Sequence, residues 1–405
     1  MKQLRSSIFV LVYLCFHTFE TNAQWTQVNT GLANLNVYAL AVSGTNLFAG
    51  TNGGVFLSTN NGTSWTAVNN GLTNTSVYAL AIASTNLFAG TNGGGVFLST
   101  NNGTSWTAVN NGLTNTLVSA LAVSGANLFV GIYGGVLLST NNGTSWTAVN
   151  TGLPQNINVY ALAIASANLF AGTQGGGVFF STNNGTNWAP VGLTNNFVYA
   201  LAIAGANLFA GTNGGVFLST NNGTSWTAVN NGFTNTYVYA FVVSGTNLFA
   251  GTYGGGVFLS TNNGTNWIAV NTGLTKTIVQ SLAVSGSNLF AGTIDGAVWR
   301  RPVSEMTTSV ESLSSDLPTH FGLDQNYPNP FNPATTISFS LPSQSFVSIN
   351  VFDALGRQVS DLLTDELPAG THTRQWNAAA LPSGAYFYRL QAGSFTETKK
   401  LLLLR

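Results

Sequence analysis

Short apolar segments alternate with clusters of Gly, Asn, Ser and Thr from residue 25 to about residue 299. One unit of about 40 residues contains four such segments, at residues 65–68, 77–82, 86–90 and 95–99. Each segment is rich in residues that favour strands and is bounded by residues that favour turns. The unit therefore predicts four short strands joined by turns, and the chain repeats it with small changes.

The apolar positions within these strands are nearly continuous, which predicts that both faces of each small sheet are buried. Four-stranded antiparallel sheets arranged radially achieve this, because each sheet packs between two neighbours. The innermost strand is predicted seven times, beginning at Val37, Val77, Val118, Val159, Val198, Val238 and Val279. We therefore predict an all-β protein in which residues 24–301 form a seven-bladed β-propeller; an open solenoid of similar repeats is the alternative.

The phase of the repeat predicts how the ring closes. The repeat region begins at residues 25–28, which match a fourth strand, and ends at residues 296–299, which match a third strand. We expect the N-terminal strand to complete the last blade, because this closure leaves no free sheet edge between the first and last blades.

A hairpin motif, Ser-Thr-Asn-Asn-Gly-Thr-Ser/Asn-Trp, links the third and fourth predicted strands in six units. It resembles the Asp-box of sialidase-like propellers, with Asn in the place of the usual Asp. Ser and Asn side chains can bond the turn backbone, Gly can adopt a positive φ, and Trp packs its large ring against the sheet. The resemblance implies a structural turn on the face opposite the usual binding site. The assigned residues are Ser58, Asn60, Gly62 and Trp65, and the further tryptophans Trp106, Trp146, Trp188, Trp226 and Trp267.

Residues 1–23 are typical of a secretory signal peptide, with a basic start, an apolar run at residues 8–16 and small residues at 21–23. The run is shorter than the roughly 20 residues that span a bilayer, so we expect no transmembrane segment after signal cleavage. A buried N-terminal strand is the alternative, and Leu14 before Cys15 disfavours lipid anchoring.

The composition changes after the repeats. Residues 302–320 are rich in Ser, Thr and charged residues, which predicts a linker, and residues 321–405 predict a small Ig-like β-sandwich. Phrases such as Asn-Tyr-Pro-Asn-Pro-Phe and Leu-Pro-Ser-Gly-Ala-Tyr in this segment resemble the C-terminal sorting domain of the type IX secretion system. The resemblance implies that the secretion machinery is a partner and that the protein is secreted or displayed on the cell surface; an ordinary Ig-like spacer is the alternative. The sorting residues are Gly356, Arg357, Gly370, Gly384, Lys399 and Lys400.

The repeat region lacks the side chains on which most catalysis depends. Between residues 24 and 299 only Lys276 and Asp295 are charged, and His, Glu, Arg and Cys do not occur. Glycoside hydrolysis usually needs two carboxylates, a nucleophilic triad needs a base such as His, and zinc needs His or Cys ligands. We therefore expect no enzyme, no cofactor and no metal site. The net charge of zero disfavours nucleic acid as a partner, because such binding depends on a basic excess.

Binding is the class of function that these absences leave open. Two sets of neutral residues are predicted to share one face of the propeller, around the central channel. The first set lies between the second and third strands and comprises Asn52, Asn92, Tyr133, Gln174, Asn213, Tyr253 and Ile294. The second set begins the innermost strands and comprises Tyr38, Tyr78, Ser119, Tyr160, Tyr199, Tyr239 and Gln280. Amides and phenols suit hydroxyl-rich ligands, so carbohydrate or another surface ligand, bound in an adhesin-like manner, is the leading interpretation. For the tyrosines, the alternative is a structural role in packing between blades. For the whole protein, the alternative function is that of an extracellular hydrolase or an assembly factor.

Overall fold

The computed structural model describes residues 24–32, 36–194, 196–234, 237–306, 318 and 320–404, so the predicted signal peptide lies outside the described residues. The chain divides into two compact units, Met1–Thr307 and Thr308–Arg405. In the described ranges, no helix has the length and apolar character needed to cross a membrane.

The described part of the first unit contains seven four-stranded antiparallel sheets, here called blades 1 to 7. Their innermost strands are β2 Val37–Ser43, β6 Val77–Ala83, β10 Val118–Ser124, β14 Val159–Ala165, β18 Val198–Ala204, β22 Val238–Ser244 and β26 Val279–Ser285. Their second strands are β3 Asn46–Thr51, β7 Asn86–Thr91, β11 Asn127–Ile132, β15 Asn168–Thr173, β19 Asn207–Thr212, β23 Asn247–Thr252 and β27 Asn288–Thr293.

The outer half of each blade is shorter. The third strands are β4 Gly54–Ser58, β8 Gly95–Ser99, β12 Gly135–Ser139, β16 Val178–Ser181, β20 Gly215–Ser219, β24 Gly256–Ser260 and β28 Ala297–Pro302. The fourth strands of blades 1 to 6 are β5 Thr66–Ala67, β9 Thr107–Ala108, β13 Thr147–Ala148, β17 Ala189–Pro190, β21 Thr227–Ala228 and β25 Ile268–Ala269, and that of blade 7 is β1 Thr26–Gln27.

The blades form a closed ring, because each innermost strand packs against the next and β26 packs against β2. A glycine in each second strand makes this approach possible. A Cβ atom at Gly50 would lie 2.8 Å from Cγ1 of Val77 in the following blade, and one at Gly292 would lie 2.6 Å from Cγ1 of Val37. Buried apolar clusters fill the six interfaces from that of blades 7 and 1 to that of blades 5 and 6, as the near-continuous apolar strands predicted. The all-β propeller prediction is confirmed.

The closure of the ring follows the order that the repeat phase predicted. Strand β1 pairs with β28, with Thr26 opposite Arg300 and Gln27 opposite Trp299. The sheet order of blade 7 is therefore β26, β27, β28 and β1. The two ends of the repeat region meet in one blade, and the first strand leaves no open edge on β28.

The linker prediction is wrong for residues 302–306. Strand β28 includes Pro302, residues 303–306 form a helical turn, and Met306 is fully buried. Arg301 is only 4% exposed and donates from Nη1 to the backbone oxygen of Val270 at 3.0 Å. Burial lowers the pKa of Arg301. Charged residues usually mark solvated segments, but here a guanidinium group finds its partner inside the fold.

The second unit contains two sheets. One consists of β29 Gly322–Leu323, β30 Ala334–Leu341 and β33 Gly370–Asn377, and the other of β31 Ser345–Phe352, β32 Gln358–Leu367, β34 Gly384–Ala392 and β35 Phe395–Leu403. Buried side chains of both sheets, such as Phe339 and Ile349, share one core, which makes a β-sandwich. Tyr388 is fully buried and donates from its hydroxyl to the backbone oxygen of Asp324 at 2.6 Å.

Candidate functional site

The residues predicted at the start of the innermost strands are all β-bulge residues. In blade 1, Val37 pairs with Thr51 and Ala39 with Gly50, so Tyr38 is the extra residue between two paired neighbours. The same irregularity occurs in each described blade, and it falls on Tyr38, Tyr78, Ser119, Tyr160, Tyr199, Tyr239 and Gln280. A bulge bends the strand and redirects a side chain, and bulges are common beside functional sites.

These seven bulge residues line a single cavity on the ring axis, together with Leu117. The cavity has a volume of about 440 Å³, within the range of small-ligand sites. Because one residue comes from each blade, the walls of the cavity are complete only when the ring is closed. The sequence predicted that these side chains share one face, and the fold places them around one cavity.

The other predicted set, in the loops between the second and third strands, lies at the same end of the blades. The backbone N–H of Asn92 donates to the oxygen of Ser76 at 2.9 Å, and that of Tyr253 donates to the oxygen of Tyr237 at 3.0 Å. These bonds join the loop between the second and third strands to the residue before the innermost strand. We call the residues at these two positions the rim.

Only part of the rim reaches the bulge residues. Asn92 donates from Nδ2 to the hydroxyl of Tyr78 at 3.0 Å, and the rings of Tyr253 and Tyr239 lie 5.9 Å apart. None of the predicted loop set lines the cavity itself, and Asn92 and Tyr253 only contact residues that do. The other members of the loop set are on the same face: Asn52, Tyr133, Gln174, Asn213 and Ile294.

The sequence analysis did not identify the second rim position, the residue just before each innermost strand. Leu117 lines the cavity, and Phe197 and Tyr237 pack within 6.5 Å of the Tyr199 ring. The signal was available, because this position varies between repeats as much as the loop position does. Its occupants are Asn36, Ser76, Leu117, Asn158, Phe197, Tyr237 and Ile278.

The cavity is electrostatically neutral. Its lining consists of phenol, hydroxyl, amide and aliphatic side chains. The pKa of Tyr199 is raised to about 12, mainly by burial and in smaller part by the neighbouring phenols of Tyr239 and Tyr160. Burial also raises the pKa values of Tyr160 and Tyr239. The phenols therefore stay protonated at neutral pH and can both donate and accept hydrogen bonds.

The Asn-containing box lies at the other end of the blade. Thr51 pairs with Gly54 and Leu47 with Ser58, so the third strand begins at the cavity face and ends at the box. Ser58 donates from Oγ to Asn60 Oδ1 at 3.0 Å, and Ser58 Oγ accepts from Gly62 N–H at 2.9 Å. Gly62 has a φ of +81°, which favours glycine.

The box tryptophans connect neighbouring blades. Each indole N–H donates to the backbone oxygen of a valine at the end of the preceding unit, as Trp65 does to Val28 at 2.8 Å. The other five bonds join Trp106 to Val68, Trp146 to Val109, Trp188 to Val149, Trp226 to Val191 and Trp267 to Val229. This geometry explains the tryptophans by packing and hydrogen bonding, with no need of a ligand.

The predicted sorting residues are distributed over the second unit. Arg357 donates from Nε to Asp353 at 2.7 Å, in the turn between β31 and β32 that includes Gly356. The backbone N–H of Arg357 is the main cause of the lowered pKa of Asp353. Gly370 begins β33 and Gly384 begins β34, while Lys399 and Lys400 lie on β35. Across the described ranges, no group of three or more His, Cys, Asp or Glu residues is placed to hold a metal ion.

Two family models match the chain. The model of the DUF6242 β-propeller domain matches residues 11–130 and 132–233, which together are more than half of the chain. The model of the secretion system C-terminal sorting domain matches residues 325–404. No curated protein matches the sequence. The sorting domain indicates export to the cell surface or the medium through the secretion system.

Similar solved structures have propeller folds at low sequence identity. The surface component PorZ of the type IX secretion system of Porphyromonas gingivalis is 18% identical with a TM-score of 0.51, and the match covers 93% of this chain and 60% of PorZ. A GH74 xyloglucanase from Xanthomonas campestris is 13% identical with a TM-score of 0.56, covering 86% and 63%. An extracellular domain from B. thetaiotaomicron is 18% identical with a TM-score of 0.59, covering 80% and 45%. The chain thus spans between about half and two thirds of these proteins, and the likeness concerns the fold alone.

Proposed function

The chain belongs to the DUF6242 β-propeller domain family, and from this premise we propose that it is an exported, non-catalytic binding protein whose propeller holds carbohydrate at the channel mouth. The sorting domain accounts for its delivery to the cell surface or the medium. The cavity formed by the seven bulge residues is the observation that carries the proposal.

The chemistry of this cavity matches that of a sugar. Phenol rings such as Tyr199 offer flat apolar surface together with a hydroxyl group. Ser119 and the amide of Gln280 add groups that both donate and accept hydrogen bonds. A neutral, hydroxyl-rich ligand can satisfy both kinds of group without the cost of burying a charge.

The pattern of variation between repeats supports this face as the binding face. The exposed box residues Thr59, Asn61 and Thr63 have the same identity in all six copies of the motif. The rim, which is at the opposite end of the blades, carries Asn, Tyr, Gln or Ile at equivalent loop positions. Exposed positions at the box end also vary, but among small residues, as at Thr45, Ala126 and Ser287. The larger change of size and chemistry at the rim favours a role for the rim in specificity.

A hydrolase is the weaker proposal because acid–base groups are absent from the cavity lining. Lys276 and Asp295 are the charged residues between positions 24 and 299, and neither lines the cavity. Two carboxylates would be needed for ordinary glycoside hydrolysis. The xyloglucanase neighbour supports a shared fold and carries no argument for this reaction.

The test is binding to an array of neutral and acidic glycans, run beside a panel of glycosidase substrates. We expect the secreted wild-type protein to bind neutral glycans and to release no product. Tyr199→Ala should abolish binding, whereas Thr63→Ala, on the opposite face, should retain it. Absence of binding to every glycan, or turnover of any substrate, would contradict the proposal.

A further inference from the structure

The tyrosines at the cavity are not distributed evenly around the ring. On blades 4, 5 and 6, Tyr160, Tyr199, Tyr237, Tyr239 and Tyr253 form a continuous cluster, here called the aromatic wall. The Tyr160 and Tyr199 rings stack at 5.7 Å, and the Tyr199 and Tyr237 rings stack at 6.5 Å. Each ring of the wall therefore has at least one aromatic neighbour within this distance.

Blade packing does not explain the outer part of the aromatic wall. Tyr237 is 44% exposed and Tyr253 is 49% exposed, so each presents a large apolar surface to solvent. The equivalent rim positions of blade 2 are Ser76 and Asn92, and that blade has the same strands and the same bulge. The fold thus forms without aromatic residues at these positions, and the exposed surface of the two rings is available to a ligand.

The opposite side of the cavity has a different chemistry. Blades 7, 1, 2 and 3 contribute Gln280, Tyr38, Tyr78 and Ser119, here called the polar wall. Tyr38 and Tyr78 pack edge to face at 4.8 Å, as Tyr199 and Tyr239 do in the aromatic wall. The difference lies in their neighbours, because Gln280, Ser119 and Leu117 line this side of the cavity in place of further aromatic rings. The Tyr78 hydroxyl already accepts a hydrogen bond from Asn92, which orients it toward a further acceptor.

We infer that this cavity has two functional sides and takes the terminal unit of a neutral glycan, with the apolar face of one pyranose ring against the aromatic wall and its hydroxyl groups toward the polar wall. The inference rests on the proposed function and specifies its ligand. A pyranose presents C–H groups on its faces and hydroxyl groups around its edge, which corresponds to the two walls. Because seven blades enclose the cavity, the ligand enters along the ring axis, and this geometry selects a chain end over the middle of a polymer.

The experiment measures binding of methyl glycosides of glucose, galactose and mannose, and of methyl glucuronide, to the full-length exported protein by calorimetry. We expect at least one neutral glycoside to bind and the acidic one to bind at least about tenfold more weakly, because no cation lines the cavity. The affinity should not change between low and high salt, since no charge pair contributes to it.

Substitutions at the same repeat position in two different blades can distinguish a cavity with two unlike sides from one whose sides all bind equally. The ring of Tyr253 lies 5.9 Å from the cavity-lining ring of Tyr239, whereas Tyr133, its equivalent on blade 3 and 44% exposed, belongs to a blade whose bulge residue is Ser119. We expect Tyr253→Ala to weaken binding at least tenfold, about 1.4 kcal/mol, and Tyr133→Ala to weaken it much less. Tyr253→Phe should restore most of the affinity. Because both side chains are exposed, both variants should keep the melting temperature of the wild type.

Each outcome has a distinct meaning. Equal losses in the two alanine variants, with binding by the wild type, would overturn the two-sided cavity and leave glycan binding standing. Binding of none of the glycosides, together with a negative array, would overturn the proposed function itself. Capture of a peptide with the same sensitivity to Tyr253→Ala would replace carbohydrate by a protein partner.

Discussion

The indole N–H of Trp25 donates to the backbone oxygen of Val270 at 2.6 Å, across the junction where the repeat region begins and ends. The bond reproduces the one between Trp146 and Val109 inside the ring, at 2.7 Å. Trp25 has no box hairpin before it among the described residues, yet its ring occupies the same buried environment. Trp25 and Val270 come from opposite ends of the repeat region, yet they make the same contact that joins successive units within the continuous chain.

We predict that Trp146→Ala lowers the free energy of unfolding by about 3–5 kcal/mol, the usual cost of truncating a buried aromatic residue. The loss has two causes, the cavity left behind and the unpaired oxygen of Val109. Chemical denaturation of the exported protein measures it. Glycan affinity at temperatures where the variant is folded should equal that of the wild type, because the box is on the face opposite the cavity.

The same substitution at the closing junction should have an effect of similar size. Trp25→Ala removes the equivalent bond to Val270, and Thr26→Ala is its control, since Thr26 is exposed on the neighbouring position. A Trp25→Ala protein as stable as the wild type would mean that the closure contributes little to stability.

We predict that the sorting domain is required for export beyond the outer membrane. A chain that ends at residue 324 lacks the region matched by the sorting model and should accumulate in the periplasm of a host with type IX secretion. Cell fractionation with an antibody to the propeller is the measurement, and the full chain is the control. Surface display of the truncated chain would contradict the prediction.

The propeller could be predicted from the sequence because each blade is specified by a short motif and the same motif recurs along the chain. Valine at the start of each innermost strand, glycine in each second strand and tryptophan after each box recur with nearly fixed spacing. Each marks a contact between neighbouring blades, as Val77 with Gly50 and Trp65 with Val28 do. The burial of Arg301 and Met306 was not predictable in this way, because both follow the last repeat and depend on a tertiary contact.

The candidate site was predictable only in part. Fixed spacing identified the bulge residues such as Tyr38 and Gln280, but the bulge that directs them into one cavity is a property of strand pairing. Tyr237 was missed although its position varies between repeats, because variation alone does not show that a side chain reaches the site. Its role depends on stacking with Tyr199, which lies in the neighbouring blade.

We predict that alkaline pH destabilises the propeller through Tyr199. The pKa of this phenol is about 12 in the folded protein and 10.0 is its ordinary value. Between these values the folded state keeps a proton that the unfolded state has lost, so stability falls as pH rises through this window and is unaffected below it. Denaturation midpoints at pH 9, 10 and 11 measure the effect. Tyr199→Phe should show a smaller decline than the wild type, and an identical decline would remove Tyr199 as the cause.

The last prediction concerns the contact between Gly292 and Val37, which joins blade 7 to blade 1. A Cβ at residue 292 would lie 2.6 Å from Cγ1 of Val37 and would also meet Ser281 Oγ. Gly292→Ala should therefore lower the free energy of unfolding by about 1–3 kcal/mol through overpacking. Val37→Ala, which removes the clashing methyl groups, should make Gly292→Ala less costly than it is alone.

The interior junction of blades 4 and 5 provides the matched control. There a Cβ at Gly172 would lie 2.7 Å from Cγ1 of Val198, in the same geometry. Double-mutant cycles of Gly292 with Val37 and of Gly172 with Val198, measured by chemical denaturation, should give coupling free energies of the same sign and of about 0.5–3 kcal/mol. Coupling at the interior junction and none at Gly292 would mean that blades 7 and 1 do not stay packed in solution. In that case the cavity would lack one of its sides, since Gln280 and Tyr38 come from these two blades.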